Sequence, residues 1–290
     1  KFTFSAEFGQ RSHRNLFIVI MKFTFEIIMN KYQTFHQLHK QEQLFLLPNA
    51  WDPLSARILA DAGFAAIATT SWGMAQSRGQ EDGEQCSFEE FISQLKPIID
   101  AVSIAVSVDI ESGYSNDVST ICQHVLAVAK LGAVGINIED SDKKTAQLRS
   151  LEHQVEILKA IKNTLKKYGF SQLFINARTD CYSQNMDSLE HVITRSLAYQ
   201  DAGVDGIFIP GLSDLTAIKQ ITTTLKVPLN VMAQPLKSDF LCDNSSNSSS
   251  LFAHGVQRYT LGNALFDATK AYIFTASSTF NSTKSSDHLF

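Results

Sequence analysis

The chain has only four cysteines, and no two of them share CxxC spacing: Cys86, Cys122, Cys181 and Cys242 stand apart. That pattern gives no support to a zinc knuckle or a thioredoxin-type redox pair, and it reads as free thiols in a reducing, cytoplasmic compartment. Long apolar runs are missing as well. The segment from Leu16 to Met21 is broken by Lys22 and Glu26, well short of the ~18 apolar residues a membrane helix needs, and no small-residue cleavage site follows it. There is no basic excess: 25 Lys and Arg against 29 Asp and Glu leave a net charge of -4, which argues against a nucleic-acid partner. No GxGxxG or phosphate-binding loop follows the first strand-like segment. No histidine stands at a strand end beside the acidic residues, so Ser/His/Asp hydrolysis lacks a motif.

What is present is a strand-then-helix rhythm that starts near residue 44 and runs to the C-terminal region. Strands are expected over 44–50, 65–71, 105–111, 135–140, 173–180, 206–210, 228–233 and 258–262. Helices are expected over 53–62, from 87, and over 117–131, 151–168, 187–202 and 213–225, with a last one from 264. A glycine-containing loop is expected over 72–85, and a Ser/Asn tract over 244–250 is expected to precede a short helix. Asp52 followed by Pro53 is a good helix start. Asp61-Ala-Gly-Phe, Lys130-Leu-Gly-Ala and Asp201-Ala-Gly-Val recur as helix ends that turn into strands. Eight βα units in 290 residues predict a TIM (β/α)8 barrel, with a doubly wound sheet as the weaker alternative. The barrel is expected to form one domain over 31–290. The stretch before Met29 reads as a mis-called start that is not native, or alternatively as a helix that packs on a partner subunit. The Ser/Thr-rich end from about Ser277 reads as frayed. Glycosylation triplets at Asn244, Asn247 and Asn281 lie in Ser-rich stretches where such matches carry little weight.

Three of these strands carry polar residues where a parallel strand should be continuously apolar. They read Ser107-Val108-Asp109-Ile110-Glu111, Asn137-Ile138-Glu139 and Asn176-Ala177-Arg178-Thr179-Asp180. Side chains two apart share a face, so Asp109 with Glu111, and Asn176 with Arg178 and Asp180, point into the barrel. Val106, Val108, Ile110, Ile136, Ile138, Ile175 and Ala177 take the helix side. Burying such charges costs several kcal/mol each unless something compensates them, and strand C-terminal ends are where barrel active sites lie. Asp109, Glu111 and Glu139 are hard oxygen donors suited to Mg²⁺ or Mn²⁺; a salt-bridge network with Arg178 is the alternative. Arg178 suits a two-pronged grip on an acid group. The stretch Ser71-Trp72-Gly73 could offer backbone N–H groups to a carboxylate, Gly113-Tyr114 gives a ligand room, and Asp82 alone reads as a turn residue.

These stretches, with Leu47-Pro-Asn-Ala-Trp-Asp, Ala68-Thr-Thr-Ser-Trp-Gly, Glu81-Asp-Gly-Glu and Gly135-Ile-Asn-Ile-Glu-Asp-Ser, resemble the isocitrate lyase / phosphoenolpyruvate mutase superfamily in order over about residues 44–265. The resemblance implies a barrel that exchanges a C-terminal helix between subunits in a homo-oligomer, a dimer or tetramer. It implies Mg²⁺ held directly by Asp109, with Glu111, Glu139 and Asp82 helping, and Asp82, Arg178 and Glu139 in catalysis. Ser71, Trp72, Gly73, Arg178 and Asn230 would bind the substrate. The implied chemistry makes or breaks a C–C or P–C bond of a small 2-oxo acid or phosphonate through a metal-stabilised enolate. The reaction would be of the carboxyvinyl-carboxyphosphonate mutase or oxaloacetate decarboxylase kind. The Lys-Lys-Cys-Gly-His loop of isocitrate lyases is absent: the chain reads Ser141-Asp-Lys-Lys-Thr-Ala-Gln-Leu-Arg there. Cys122 and Cys181 are expected to be packing thiols, and Lys143 and Lys144 to lie on a solvated loop, with a gating role as the alternative. The competing function is a non-catalytic barrel that binds a dicarboxylate or scaffolds an assembly.

Overall fold

The computed structural model describes residues 29–182, 188–233 and 245–283, without the side chains of 245–248 and 283. Eight parallel strand positions close into a barrel. The first is split, because Pro48 has no N–H to give to a ladder: β1 (Phe45–Leu47) pairs with β11 (Arg258–Thr260), and β2 (Asn49–Ala50) pairs with β3 (Ala66–Thr69). Between them run β4 (Ala105–Asp109), β5 (Gly135–Glu139), β8 (Phe174–Arg178), β9 (Gly206–Phe208) and β10 (Leu229–Met232). The Asn49 side chain stitches the split strand to its surroundings. It donates to the Thr69 carbonyl at 2.9 Å and accepts the Gly262 N–H at 2.8 Å.

Helices wrap the barrel where their sequences start and stop them. For α2 (Pro53–Asp61), α4 (Phe88–Asp100), α5 (Val118–Lys130), α6 (Leu151–Lys167), α7 (Leu189–Asp201) and α8 (Leu215–Thr224), a Ser or Asp before the first turn accepts the N–H three residues on. The three recurrent helix ends behave as expected, with Gly63, Gly132 and Gly203 at φ of 90°, 99° and 91°. The outward residues Val106, Val108, Ile110, Ile136, Ile138, Ile175 and Ala177 are all buried against this ring. Among the described residues no helix is long and apolar enough to cross a membrane.

Three local expectations need correction. The end expected to fray from about Ser277 continues as helix to Thr283, within α10 (Ala264–Thr283). The loop expected over 72–85 begins with a helix, α3 (Ser71–Gln76). Thr70 caps it, and burial of Met74 outweighs the poor helix propensity of Gly73. The Ser/Asn tract lies within a helix, α9 (Ser245–Ala253), instead of preceding it, because burial of Leu251 anchors that segment to the barrel. Residues 1–28, Asp187, Cys242 and Asn244 lie outside the described residues.

The end of the barrel opposite the strand C-termini is plugged. Helix α1 (29–38) sets Phe35, fully buried, against Phe45 and Phe174 at the starts of β1 and β8, with ring centroids 5.8 and 5.6 Å away. His39 follows and stacks on Phe174 at 4.1 Å. Burial, then the nearby Arg258 charge, pulls its pKa down to about 3, so it stays neutral. Behind the sheet, Asp140 just past β5 ties the strands to α7. It accepts Thr179 Oγ1 and the Tyr199 hydroxyl at 2.7 Å each, the Asp180 N–H at 2.9 Å and Arg195 Nε at 3.1 Å. Cys122 and Cys181 are buried in the same outer layer, where burial raises both thiol pKa values, as packing thiols should show.

Truncating one partner of such a buried ion pair leaves the other charge stranded. Asp140→Ala is expected to lower unfolding free energy by about 3–5 kcal/mol, measured by denaturant titration. A loss below about 1 kcal/mol would show that water reaches Arg195 and the network carries little.

Candidate active site

The candidate functional side chains gather where β4, β5 and β8 end. Asp109, the last residue of β4, is buried and accepts the Ser71 hydroxyl at 3.1 Å and the Glu111 N–H at 3.4 Å. Two residues on, Glu111 turns into the site with φ of 50°, a left-handed conformation that costs a non-glycine residue about 1–3 kcal/mol unless its surroundings hold it. Glu84 does the holding. Its carboxylate accepts the N–H groups of Ser112 and Tyr114 at 2.9 Å each and the Ser112 hydroxyl at 2.7 Å. Its own N–H donates to Glu111 Oε1 at 3.1 Å. The loop after β3 is thereby clamped onto the loop after β4.

Glu139, ending β5, is 1% exposed and sits between two cations. Arg178 NH1 from β8 lies 3.0 Å from Oε2, and the Lys143 ammonium pairs with Oε1 while also lying 3.2 Å from Glu111 Oε2. Arg178 is fixed from its other side: Nε donates to Asp180 at 2.6 Å, Asp180 accepts the Ser141 hydroxyl at 2.6 Å, and the guanidinium lies over the Phe208 ring. Lys143 comes from a small hairpin formed by β6 (Ser141–Asp142) and β7 (Gln147–Leu148). Its neighbour Lys144 is exposed. Arg149 braces the hairpin by donating to the carbonyls of Ser112 and Ser115 and to Asn116.

Below this level lies a buried polar floor. Asn176 donates to Asn137 at 2.9 Å, and Arg258 NH2 donates to the same oxygen at 3.2 Å, above the Phe35 ring of the plug. Burial pulls the Arg258 pKa down to about 9. Asn230 is buried beside Arg258 in register, and its amide nitrogen has no hydrogen-bond partner.

The residues singled out by sequence converge in part. Ser71, Asp109, Glu111, Glu139 and Arg178 form one cluster. Asp82 joins it by charge: its pKa is raised by burial and then by the Asp109 charge. Trp72 lies on α3 with 37% exposure. Gly73 is needed for close approach, since a Cβ there would lie 2.8 Å from Trp51 Cβ, and its N–H is spent on Thr70 Oγ1. Asn230 belongs to the floor. Sequence reading gave no role to Glu84 or Ser141, put Asp180 on the inward face without a role, and expected Lys143 on a solvated loop, where it instead reaches inward to Glu111 and Glu139. Glu84 closes the Glu81-Asp-Gly-Glu motif and Asp180 shares a strand face with Arg178, so both had a signal. Lys143 had none to set it apart from Lys144.

The charge balance tests whether a divalent cation suits the site. Burial, then the Asp82 charge, pushes the Glu111 carboxyl up to about 7, and burial, opposed by Arg178, pushes Glu139 up to about 8. Asp82 Oδ1, Glu111 Oε2 and both Glu139 oxygens are buried without a well-formed hydrogen bond, although the two glutamates have ionic neighbours. Among the described residues no three acidic or imidazole side chains form a ready-made cage. Mg²⁺ asks for less, one or two carboxylates with waters and substrate oxygens filling the rest, so the donor set fits such an ion.

A carboxyl whose pKa is raised by folding binds its proton more tightly in the native state, so native stability falls as pH rises between the unfolded and folded values. For Glu111 and Glu139 that window runs from the ordinary 4.5 to about 7 and about 8. Chelator-treated protein is expected to lose thermal stability steadily from about pH 5 to about pH 8, with a shallower slope in Glu139→Gln. A melting temperature that climbs over that range would contradict the charge balance.

Comparison with known proteins identifies the family. The family model for phosphoenolpyruvate phosphomutase matches residues 35–280. An uncharacterised protein of Mycobacterium tuberculosis H37Rv is 38% identical over 205 residues, covering 70% of this chain and 74% of that one. Oxaloacetate decarboxylase of Pseudomonas entomophila is 31% identical over 202 residues, covering 67% and 68%. A phosphonomutase-type crystal structure from Burkholderia cenocepacia J2315 superposes with a TM-score of 0.78 at 31% identity, covering 86% of this chain and 98% of that one. A barrel with acidic and basic side chains gathered at its strand ends, matched over this length, belongs to the phosphoenolpyruvate mutase / isocitrate lyase superfamily and is an enzyme of the lyase or phosphonomutase type.

Proposed function

We propose that this enzyme acts on a small 2-oxo acid, oxaloacetate or a phosphonate analogue such as phosphonopyruvate, with Mg²⁺ or Mn²⁺ as cofactor. The observation that carries the reading is the set of buried carboxylate oxygens without a well-formed hydrogen bond, Asp82 Oδ1, Glu111 Oε2 and both of Glu139, gathered around Asp109 beside a fixed guanidinium. Asp109 would hold the ion directly, with Glu111, Glu139 and Asp82 holding it directly or through its waters. When bound, the cation would supply Lewis-acid polarisation of the substrate's 2-oxo oxygen.

The chain's own residues supply the rest. Arg178, held by Glu139 and Asp180, presents its remaining N–H donors to the substrate's acid group, and being positioned in advance it needs no reorganisation as charge develops. The Ser71 hydroxyl, bonded to Asp109, orients that carboxylate and lies at the wall where a substrate carboxylate would rest. Asp82, partly buried beside Asp109 and within the charge cluster, is the candidate for proton transfer. The hairpin after β5 brings the Lys143 ammonium onto Glu111 and Glu139. The loop lacks the Lys-Lys-Cys-Gly-His motif and neither buried cysteine reaches the cluster, which favours a decarboxylase or phosphonomutase type of reaction over isocitrate cleavage.

The apolar outer face of α10 (Ala264–Thr283) fits a homo-oligomer. Tyr272, Ile273, Phe274 and Phe280 are 50–74% exposed, beside a groove of about 840 Å³ lined by Trp51, Leu54, Ile58 and Phe266. Ile273→Asp combined with Phe274→Asp is expected to lower the sedimentation coefficient toward that of a monomer, and an unchanged value would place the interface elsewhere.

Consumption of oxaloacetate and of phosphonopyruvate, with and without Mg²⁺, tests the reaction. Metal-dependent loss of one of them is expected in the wild type and absent in Asp109→Ala. Arg178→Met is expected to lower kcat/KM by about 100-fold or more, the usual cost of truncating one half of a buried charge pair. Absence of metal-dependent turnover over a panel of small 2-oxo acids would overturn the proposal.

A further inference from the structure

The placement of Lys143 goes beyond the reading above, though it rests on the metal site proposed there. Two buried carboxylates from different strand ends, Glu111 and Glu139, share one ammonium. That ammonium arrives from a hairpin whose tip faces the surface: Lys144, Thr145, Ala146 and Gln147 are all exposed, while Lys143 at the start of this run reaches inward. The turn is built to send it there. Asp142 accepts the Lys144 N–H at 2.8 Å and is itself bonded by Asn116, and Ala146 takes a left-handed φ of 52°. Beside the hairpin lies a cleft of about 390 Å³ lined by Glu84, Ser115, Asn116, Asp142, Lys143 and Lys144, which gives a displaced side chain somewhere to go.

We infer that Lys143 is an internal stand-in for the divalent cation, and that its ammonium and the metal compete for the same two glutamates. Without metal, the lysine neutralises the buried oxygens and draws the hairpin down over the mouth. With metal, Glu111 and Glu139 turn to the ion or its waters, and the ammonium leaves toward the cleft. Such competition lowers apparent metal affinity by the fraction of molecules in which the lysine occupies the site, so the site fills only when free metal is abundant. It also accounts for the lack of a ready-made cage among the described residues: the carboxylates are drawn toward an ammonium and not toward a shared ion.

The test is Mn²⁺ binding to the chelator-stripped full chain, read from the electron paramagnetic resonance signal of free Mn²⁺. Lys143→Met is expected to bind Mn²⁺ at least about tenfold more tightly than wild type, the gain from removing a competitor that occupies the site in about nine molecules of ten. Lys143→Arg keeps the charge and is expected to stay within about threefold of wild type, as is Lys144→Met, which removes the same charge from a solvated position where screening dominates. Equal or weaker binding by Lys143→Met, or a shift no larger than that of Lys144→Met, would overturn the inference while leaving the metal site standing. Wild type and Lys143→Met that both fail to bind Mn²⁺ in a manner lost in Asp109→Ala would overturn the metal reading and this inference together.

Discussion

Glu139 is a carboxyl removed almost wholly from water, and its charged form is tolerable only with cations in contact, since its desolvation costs several kcal/mol. Much of the upper barrel can be understood as the arrangement that satisfies it. β8 must end in Arg178 opposite it, in register Glu139↔Arg178. Asp180 and Ser141 must then fix the far side of that guanidinium, and the hairpin after β5 must fold back far enough to deliver Lys143. The strained turn at Glu111 follows from the same demand, because only a left-handed residue there brings a second carboxylate to the shared ammonium. Glu84 exists in this scheme as the clamp that keeps the turn from relaxing.

The barrel separates this charged level from the apolar plug by a layer of amides. Asn137 and Asn176 carry neutral hydrogen-bonding capacity between the carboxylates above and Phe35 below, and Arg258 adds a buried positive charge under the cluster. A wholly apolar layer there would leave the acidic mouth over a medium of low polarity and raise its carboxyl pKa values further. A wholly charged one would have to be compensated again. The amides are the intermediate solution, and the plug completes it by sealing the lower end against water.

Most of the architecture could be read in the residues, because buried parallel strands, capped helices and left-handed glycine ends each leave local marks. The inward face of the polar strands was equally readable, since a period of two assigns Asp109, Glu139 and Arg178 without reference to anything distant; Glu111 also reaches the site, but through a left-handed turn past the end of β4. What escaped were relations across the chain. Glu84 meets Ser112 28 positions away, and nothing near Glu84 announces that partner. Helix α3 contains a glycine whose reason is the Trp51 side chain, and α9 forms in a tract of poor helix formers because Leu251 finds a place in the core. Tertiary packing overrides propensity in both cases.

The ladder of the hairpin that carries the two adjacent lysines has two residue pairs, Ser141↔Leu148 and Asp142↔Gln147. In a strand-paired segment a slip of one residue exchanges the faces of every side chain it contains. Here such a slip would carry Lys143 outward and bring a neighbour in its place, so the identity of the side chain at the mouth is decided less by the ladder than by the Asp142 turn that fixes the count. A single aspartate on the surface therefore acts as a register mark for a buried electrostatic contact, and an insertion or deletion of one residue in this loop would change the chemistry of the mouth without disturbing any barrel strand.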